Sequence, residues 1–382
     1  MLSILGKVTR WIIYLILALF LLAIGYLTYV LTSNAPTPLP PEEQAVLDQK
    51  ILGQGEFRYR IRRDKLVVPE EITSTWSNVH GLTLAEDGSI YVTYSTWYGH
   101  DENTRALIKF DNNADFLGTL GTKDHAKGEP HGLDGRTEQD GKFYLYHTNN
   151  AGRFYKTDTD MNEIWSNNFP ESLSMYERGF FNTMKDFYNW AYTNYNNNMI
   201  AIPSGYSPCN VAFNPNGKDI YMADCYSGSL VHKFNAENGE YKGLTFGGKG
   251  EEANLYNTPH GLIWDIREGR DQLLIADRGN NRLQYTDGDG KTLSVVTDPA
   301  IVEPCDFDIW KDYVLIPDLT GHLVVMDENN KVISKINVSE VIGAAGFPHP
   351  HDAIFLPNGD IAVGTWFNGS LTYWERLPAE EG

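Results

Sequence analysis

The chain has 382 residues and a formal charge of −19, with 50 acidic side chains against 31 basic ones. No Lys/Arg-rich run interrupts the acidic surplus, which argues against nucleic acid as a partner, because phosphate binding needs a basic footprint. Three cysteines are too few for a disulfide scaffold or a four-Cys zinc finger, and the length admits one large β domain or two ordinary ones.

The segment from Trp11 to Leu31 is apolar and uncharged. At 1.5 Å per residue it matches a hydrocarbon core of about 30 Å, so residues 1–31 read as a cytoplasmic tip and a transmembrane helix. Lys7 and Arg10 precede the run and the next basic residue is Lys50, which predicts a cytoplasmic N-terminus with the rest in the periplasm or extracellular space. A cleaved signal peptide is the competing reading. Against it, the run exceeds an ordinary signal core, and the best small-residue site, Ser33-Asn34-Ala35, is followed by Pro36. Residues 32–55 read as a Pro-rich linker, stiff and extended around Pro36, Pro38, Pro40 and Pro41.

From residue 56 onward one phrase recurs: a small or Pro residue, then His or Cys, then a small or polar residue and an apolar pair. It stands at Val79-His80-Gly81-Leu82, Pro130-His131-Gly132-Leu133, Pro208-Cys209-Asn210-Val211, Pro259-His260-Gly261-Leu262, Pro304-Cys305-Asp306-Phe307 and Pro350-His351-Asp352-Ala353. Turns and second strands follow, as in NPNGKDIYMAD and LPNGDIAVGT, where Asn-Gly is a hairpin signal. Strands at a period of roughly fifty residues with almost no helical periodicity indicate an all-β, six-bladed β-propeller over 56–382. The step from His131 to Cys209 is longer, which places an aromatic-rich insertion at about 170–205. The last repeat has room for only three strands, so EFRYRIRRDKLVV at 56–68 is expected to close the ring as the fourth.

The innermost strand of each propeller blade lines the channel, so a residue recurring at its start repeats around the axis at one level. Four of the ten histidines and two of the three cysteines occupy those six positions. His131, His260 and His351 fall on alternate blades, and three imidazoles with an open fourth direction match a catalytic zinc site. Such a metal polarises a substrate oxygen or lowers the pKa of a bound hydroxyl. His80 lies on an intervening blade as a further ligand candidate. His349 is a candidate ligand or general base beside the last repeat. Cys209 and Cys225 end neighbouring strands of one hairpin; they read either as a disulfide in an oxidising compartment or, with Cys305, as soft ligands. Arg278 reads as a corner residue tied to the neighbouring Asp277 or to backbone, rather than as a substrate-binding group.

IADRGNNRLQ resembles the NHL-type repeat. The order EPHGLDG, SPCNVAFNPNGKDIYMADCYSGSLVHKF, TPHGLIW with ADRGNNRLQ, then HPHDAIFLPNGDIAVG resembles the peptidyl-α-hydroxyglycine α-amidating lyases over about 80–375. That resemblance implies zinc on His131, His260 and His351 and a catalytic tyrosine at Tyr226. It also implies a structural calcium on Asp352 with the carbonyls of Leu82 and Leu133. The family's arginine after the second strand of the first blade falls near Ser95 here, and its methionine two residues before the last ligand is His349.

The leading expectation is therefore a membrane-anchored metal-dependent lyase or hydrolase acting on a small or peptide-like substrate. Two alternatives stand beside it. One is an arylsulfotransferase-like propeller with a channel histidine nucleophile. The other is a non-catalytic module that holds a protein partner through 170–205.

Overall fold

The computed structural model describes residues 39–379 apart from 97–101, 169–205, 343–348 and 367–368, with a few isolated positions before residue 39. Among the described residues there are six antiparallel sheets, five of them opening on a predicted inner-strand phrase and the fifth blade's just after its phrase. Blades 1 to 4 start with Trp76–Leu84, Pro130–Thr137, Pro208–Phe213 and Pro259–Asp265; blade 5 starts with Asp308–Trp310 and blade 6 with Pro350–Phe355. Hairpin chemistry sets the registers. At Asn216-Gly217, for example, Gly217 adopts φ +73°, a left-handed geometry that costs a glycine little.

The ring is held by its blade interfaces. Buried apolar side chains form six clusters among the described residues, one between each pair of neighbouring blades. Second strands such as Asp219–Asp224 are buried along their whole length, since both faces of each sheet are covered by another blade. Closure is by strand exchange: Phe57–Arg62 pairs with Ser370–Leu377 in blade 6, and the Tyr59 hydroxyl donates to the Gly359 carbonyl at 3.1 Å. This is the expected ring-closing segment, shortened to end at Arg62.

The stretch preceding it differs from a stiff extended spacer. Pro41–Leu47 is a helix, with Pro41 at the first turn, where no N–H is needed, and Glu42 and Glu43 facing the positive end of the helix dipole. Leu52–Gln54 then adds a fifth strand outside Phe57–Arg62. No helix among the described residues is long and apolar enough to cross a membrane. About two thirds of the expected span at 11–31 lies outside the described residues, and the insertion at 170–205 lies outside them entirely.

Candidate metal centre in the channel

The strand register breaks where the ring residues sit. Irregularities fall at Val79/Leu82, Pro130/Leu133, Pro208/Asn210, Pro259/Leu262 and Pro350/Asp352, and a bulge of this kind re-aims a side chain. In blade 5 the ladder starts later, and Pro304 makes only an isolated bridge to Asp318. The glycines after the histidines serve close approach. A Cβ on Gly132 would lie 2.2 Å from the Cys209 carbonyl oxygen, so only glycine lets blade 3 reach His131.

His80, His131, His260 and His351 are all buried, at 1–3 % exposure, and their rings meet. His131 lies 4.5 Å from His80, 5.0 Å from His260 and 4.7 Å from His351 between centroids, and His351 lies 4.6 Å from His80 and 4.7 Å from His260. Each Nδ1 faces a backbone carbonyl: Pro130 for His80 at 3.0 Å, Cys209 for His131 at 2.9 Å, Cys305 for His260 at 2.8 Å and His80 for His351 at 3.3 Å. A carbonyl only accepts, so each Nδ1 carries the proton and each Nε2 keeps its lone pair, the tautomer a metal-binding histidine needs. Burial pushes His80 down to about 3 and the other three well below the usual histidine range, helped by their mutual proximity and by the Arg278 cation. The imidazoles are neutral at physiological pH.

The Nε2 of His131 is buried without any hydrogen-bond partner, which fits a lone pair directed at a metal ion. Ligand atoms of His80, His131 and His351 lie within 4.8 Å of one another, as do those of His131, Cys209 and His260. Cys209 is in a disulfide with Cys225, so its sulfur is not a thiolate donor. Of the two readings of the cysteines the structure has the disulfide, and Cys305 is the free, buried thiol.

Tyr226 reaches the ring: its hydroxyl is 3.0 Å from His260 Nε2 and donates to it. Arg278 does not tie its corner to Asp277, whose carboxylate is taken by Asn257 N–H, Asn280, Arg282 and Gln284. Its guanidinium lies over the Tyr226 ring, 5.3 Å from the centroid, with Nη1 3.8 Å from Cys305 Sγ. Burial raises the Tyr226 phenol above its ordinary value while Arg278 pulls it back. His349 directs Nδ1 to the Leu319 carbonyl at 2.9 Å and packs edge-on against Trp366. Near Ser95 the structure places neutral groups, with Asn78 Oδ1, Thr93 Oγ1 and Ser95 Oγ buried and unpartnered.

Sequence reasoning missed two features. Glu129, directly before Pro130, lies 4.0 Å from His80 Nε2 and accepts from Asn150; burial raises its pKa. The signal was the acid in EPHGLDG. Toward the opposite mouth, Asp134, Asp306, Asp308 and Asp352 line a cavity of about 380 Å³. Asp352 accepts from Leu82 N–H at 2.5 Å and Asp306 from Asn210. Burial, reinforced by neighbouring carboxylates, lifts Asp352 to about 8 and Asp134 and Asp306 well above the usual range. The oxygen-rich set fits a hard cation such as calcium, which would hold these carboxyls in their ionised form.

Asp308 gives this acidic layer a measurable signature. Burial raises it to about 7 in the folded chain, against about 3.9 unfolded. Between those values the folded state binds the extra proton, so stability falls as pH rises through the window. The metal-free protein is expected to melt lower at pH 8 than at pH 5.5, with the difference reduced in Asp308→Asn and by added calcium. Thermal melts at both pH values in chelator check this, and an unchanged slope in Asp308→Asn would refute it.

No family model matches the chain, and no curated protein matches it. Solved structures do. A streptogramin B lyase is 12 % identical with TM-score 0.50, covering 84 % of this chain and 98 % of that one. A protein of unknown function from Bacteroides thetaiotaomicron is 11 % identical with TM-score 0.50, covering 78 % and 70 %. A chain of a nidogen/laminin complex is 13 % identical with TM-score 0.46, covering 75 % and 92 %. At such identities the likeness shows the fold alone. The chain is an all-β, six-bladed propeller, and two of these three neighbours carry names that describe a lyase and a protein–protein complex.

Proposed function

We propose that the protein is a membrane-anchored, extracytoplasmic, metal-dependent lyase related to the amidating lyases, with its reaction centre at the imidazole end of the channel. The observation that carries this reading is the four histidines whose Nδ1 atoms face backbone carbonyls, leaving neutral Nε2 lone pairs inside one buried cluster. His131, His260 and His351 would hold zinc, since alternate blades bring their rings in from three directions. His80 turns its Nε2 toward Glu129 and completes the cluster. Asp352, with the Leu82 and Leu133 carbonyls, would hold a structural calcium at the level below.

Bound zinc would supply Lewis acidity to a substrate oxygen. The chain's own groups do the rest. Tyr226, protonated at neutral pH, is placed to give its proton to the leaving atom as it takes the proton of the substrate hydroxyl, so the C–X bond breaks with its electron pair leaving on X. Arg278 beside it neutralises an anionic substrate group or the charge that develops on the oxygen.

Elemental analysis of the purified full-length protein tests the reading, with about one zinc per chain expected, as a three-histidine site requires. The double variant His131→Ala/His260→Ala should lose it, and His80→Ala should retain it. Among the described residues the one all-histidine trio with ligand atoms within 4.8 Å of one another is His80, His131 and His351, so loss in His80→Ala with retention in His260→Ala would move the ligand set to that trio. A protein that binds no transition metal would overturn the proposal.

A further inference from the structure

The folded ring has two distinct faces. Inner strands start on the face that carries the histidines, so each blade's outer strand ends on that side. Ser339–Ile342 lies in the connection between blades 5 and 6, and Ser339 N–H donates to the Gly321 carbonyl at the corner between second and third strands of blade 5. The helix Pro41–Leu47 docks there. Gln44 Nε2 donates to the Val341 carbonyl at 3.1 Å, Arg63 donates to the same carbonyl at 3.0 Å and pairs with Asp48, and Lys50 lies 3.6 Å from Glu340. The N-terminal segment therefore joins the propeller on its histidine face.

Only residues 32–40 separate this helix from the apolar run ending at Leu31. Nine residues at roughly 3.1 Å each in a Pro-rich extended form reach about 28 Å at most. Two large apolar side chains are exposed on the same side: Val46 on the docked helix, 70 % exposed, and Trp366 at the corner of blade 6, 40 % exposed. Tryptophan is a favoured residue at a membrane–water interface.

We propose that the histidine face of the propeller is apposed to the bilayer from which its stalk emerges, so that the channel mouth opens toward the lipid surface. The inference rests on the membrane-anchored reading above and adds an orientation to it. Two exposed positions at blade 4, outside the contacts made by the stalk, separate the faces. Glu251 lies in the connection into blade 4 on the histidine face, and Ile266 in the turn after that blade's inner strand on the opposite face. They are separated by the thickness of the ring, roughly 20 Å for inner strands of this length.

The test uses the full chain reconstituted in phosphatidylcholine vesicles that carry a headgroup-attached quencher, with a fluorophore on Glu251→Cys or on Ile266→Cys. The expected result is co-flotation with the vesicles, loss of fluorescence at 251 and none at 266. Flotation with equal quenching, or with quenching only at 266, overturns the orientation while leaving the anchor. Protein that fails to float overturns the anchor and this inference together.

Discussion

Arg267→Ala is expected to destabilise the propeller by about 3–5 kcal/mol, the cost of breaking a buried ion pair from one side. Its guanidinium is 1 % exposed and pairs with Asp265, which is fully buried, at 2.8 Å. It also donates to the carbonyls of Asp312 and Asp327 at 3.1 and 2.9 Å and to Asn330 at 2.9 Å. Asp265 belongs to blade 4 and the three acceptors to blade 5, so the side chain clamps the interface whose other end presents the Cys305 carbonyl to His260. Truncation leaves the Asp265 carboxylate without its main partner in a site that water does not reach. Arg270, 3.6 Å from the same carboxylate, and Tyr285, whose hydroxyl donates to it at 2.9 Å, are positioned to recover part of the loss. Urea unfolding followed by tryptophan fluorescence checks the prediction, and a loss under about 1 kcal/mol, the worth of an exposed pair, would refute it. The double change Asp265→Leu/Arg267→Met should be milder than Arg267→Ala, because removing both charges leaves no orphan.

The parts legible in the sequence are those in which local chemistry repeats. The Pro-His-Gly-Leu phrases mark each blade because the same backbone problem, a bulge beside a neighbouring carbonyl, recurs at each inner strand. The ring-closing strand was legible from a shortfall in the last blade. Arg278 was not, because its direction depends on competition for Asp277. That carboxylate is filled by groups at 257, 280, 282 and 284, and a sequence does not show that the adjacent arginine is thereby released toward Tyr226. The acidic layer was hidden for a related reason: Asp134 and Asp308 stand three residues after their ring positions and Asp306 and Asp352 one residue after theirs, so each offset is acidic in only two of the six repeats, and the four meet only because the inner strands converge on one axis. The helix at Pro41–Leu47 was masked by prolines that read as extended chain, although one of them stands where a helix accepts it.

Reducing or removing the Cys209–Cys225 disulfide is expected to cost about 3 kcal/mol of stability, the chain-entropy value for a loop of this size. The bridge spans 16 residues and joins the inner and second strands of blade 3. Its consequences reach the metal centre from both ends. The Cys209 carbonyl accepts the His131 Nδ1 proton at 2.9 Å, and Cys225 directly precedes Tyr226, whose hydroxyl meets His260. Loss of the bridge therefore frees a support of one proposed ligand and the backbone of the proposed proton donor in one step. Cys225→Ala should lower the melting temperature and the retained zinc together, and reductant should do the same to the parent protein while leaving Cys225→Ala unaffected. Cys305→Ala serves as the control. Its thiol is buried, with a pKa raised to about 12 by burial, so it stays protonated and inert to exchange, and this variant should keep the parent's full response to reductant. A parent protein whose melting temperature and metal content are both indifferent to reductant would remove the disulfide from any role in holding the site.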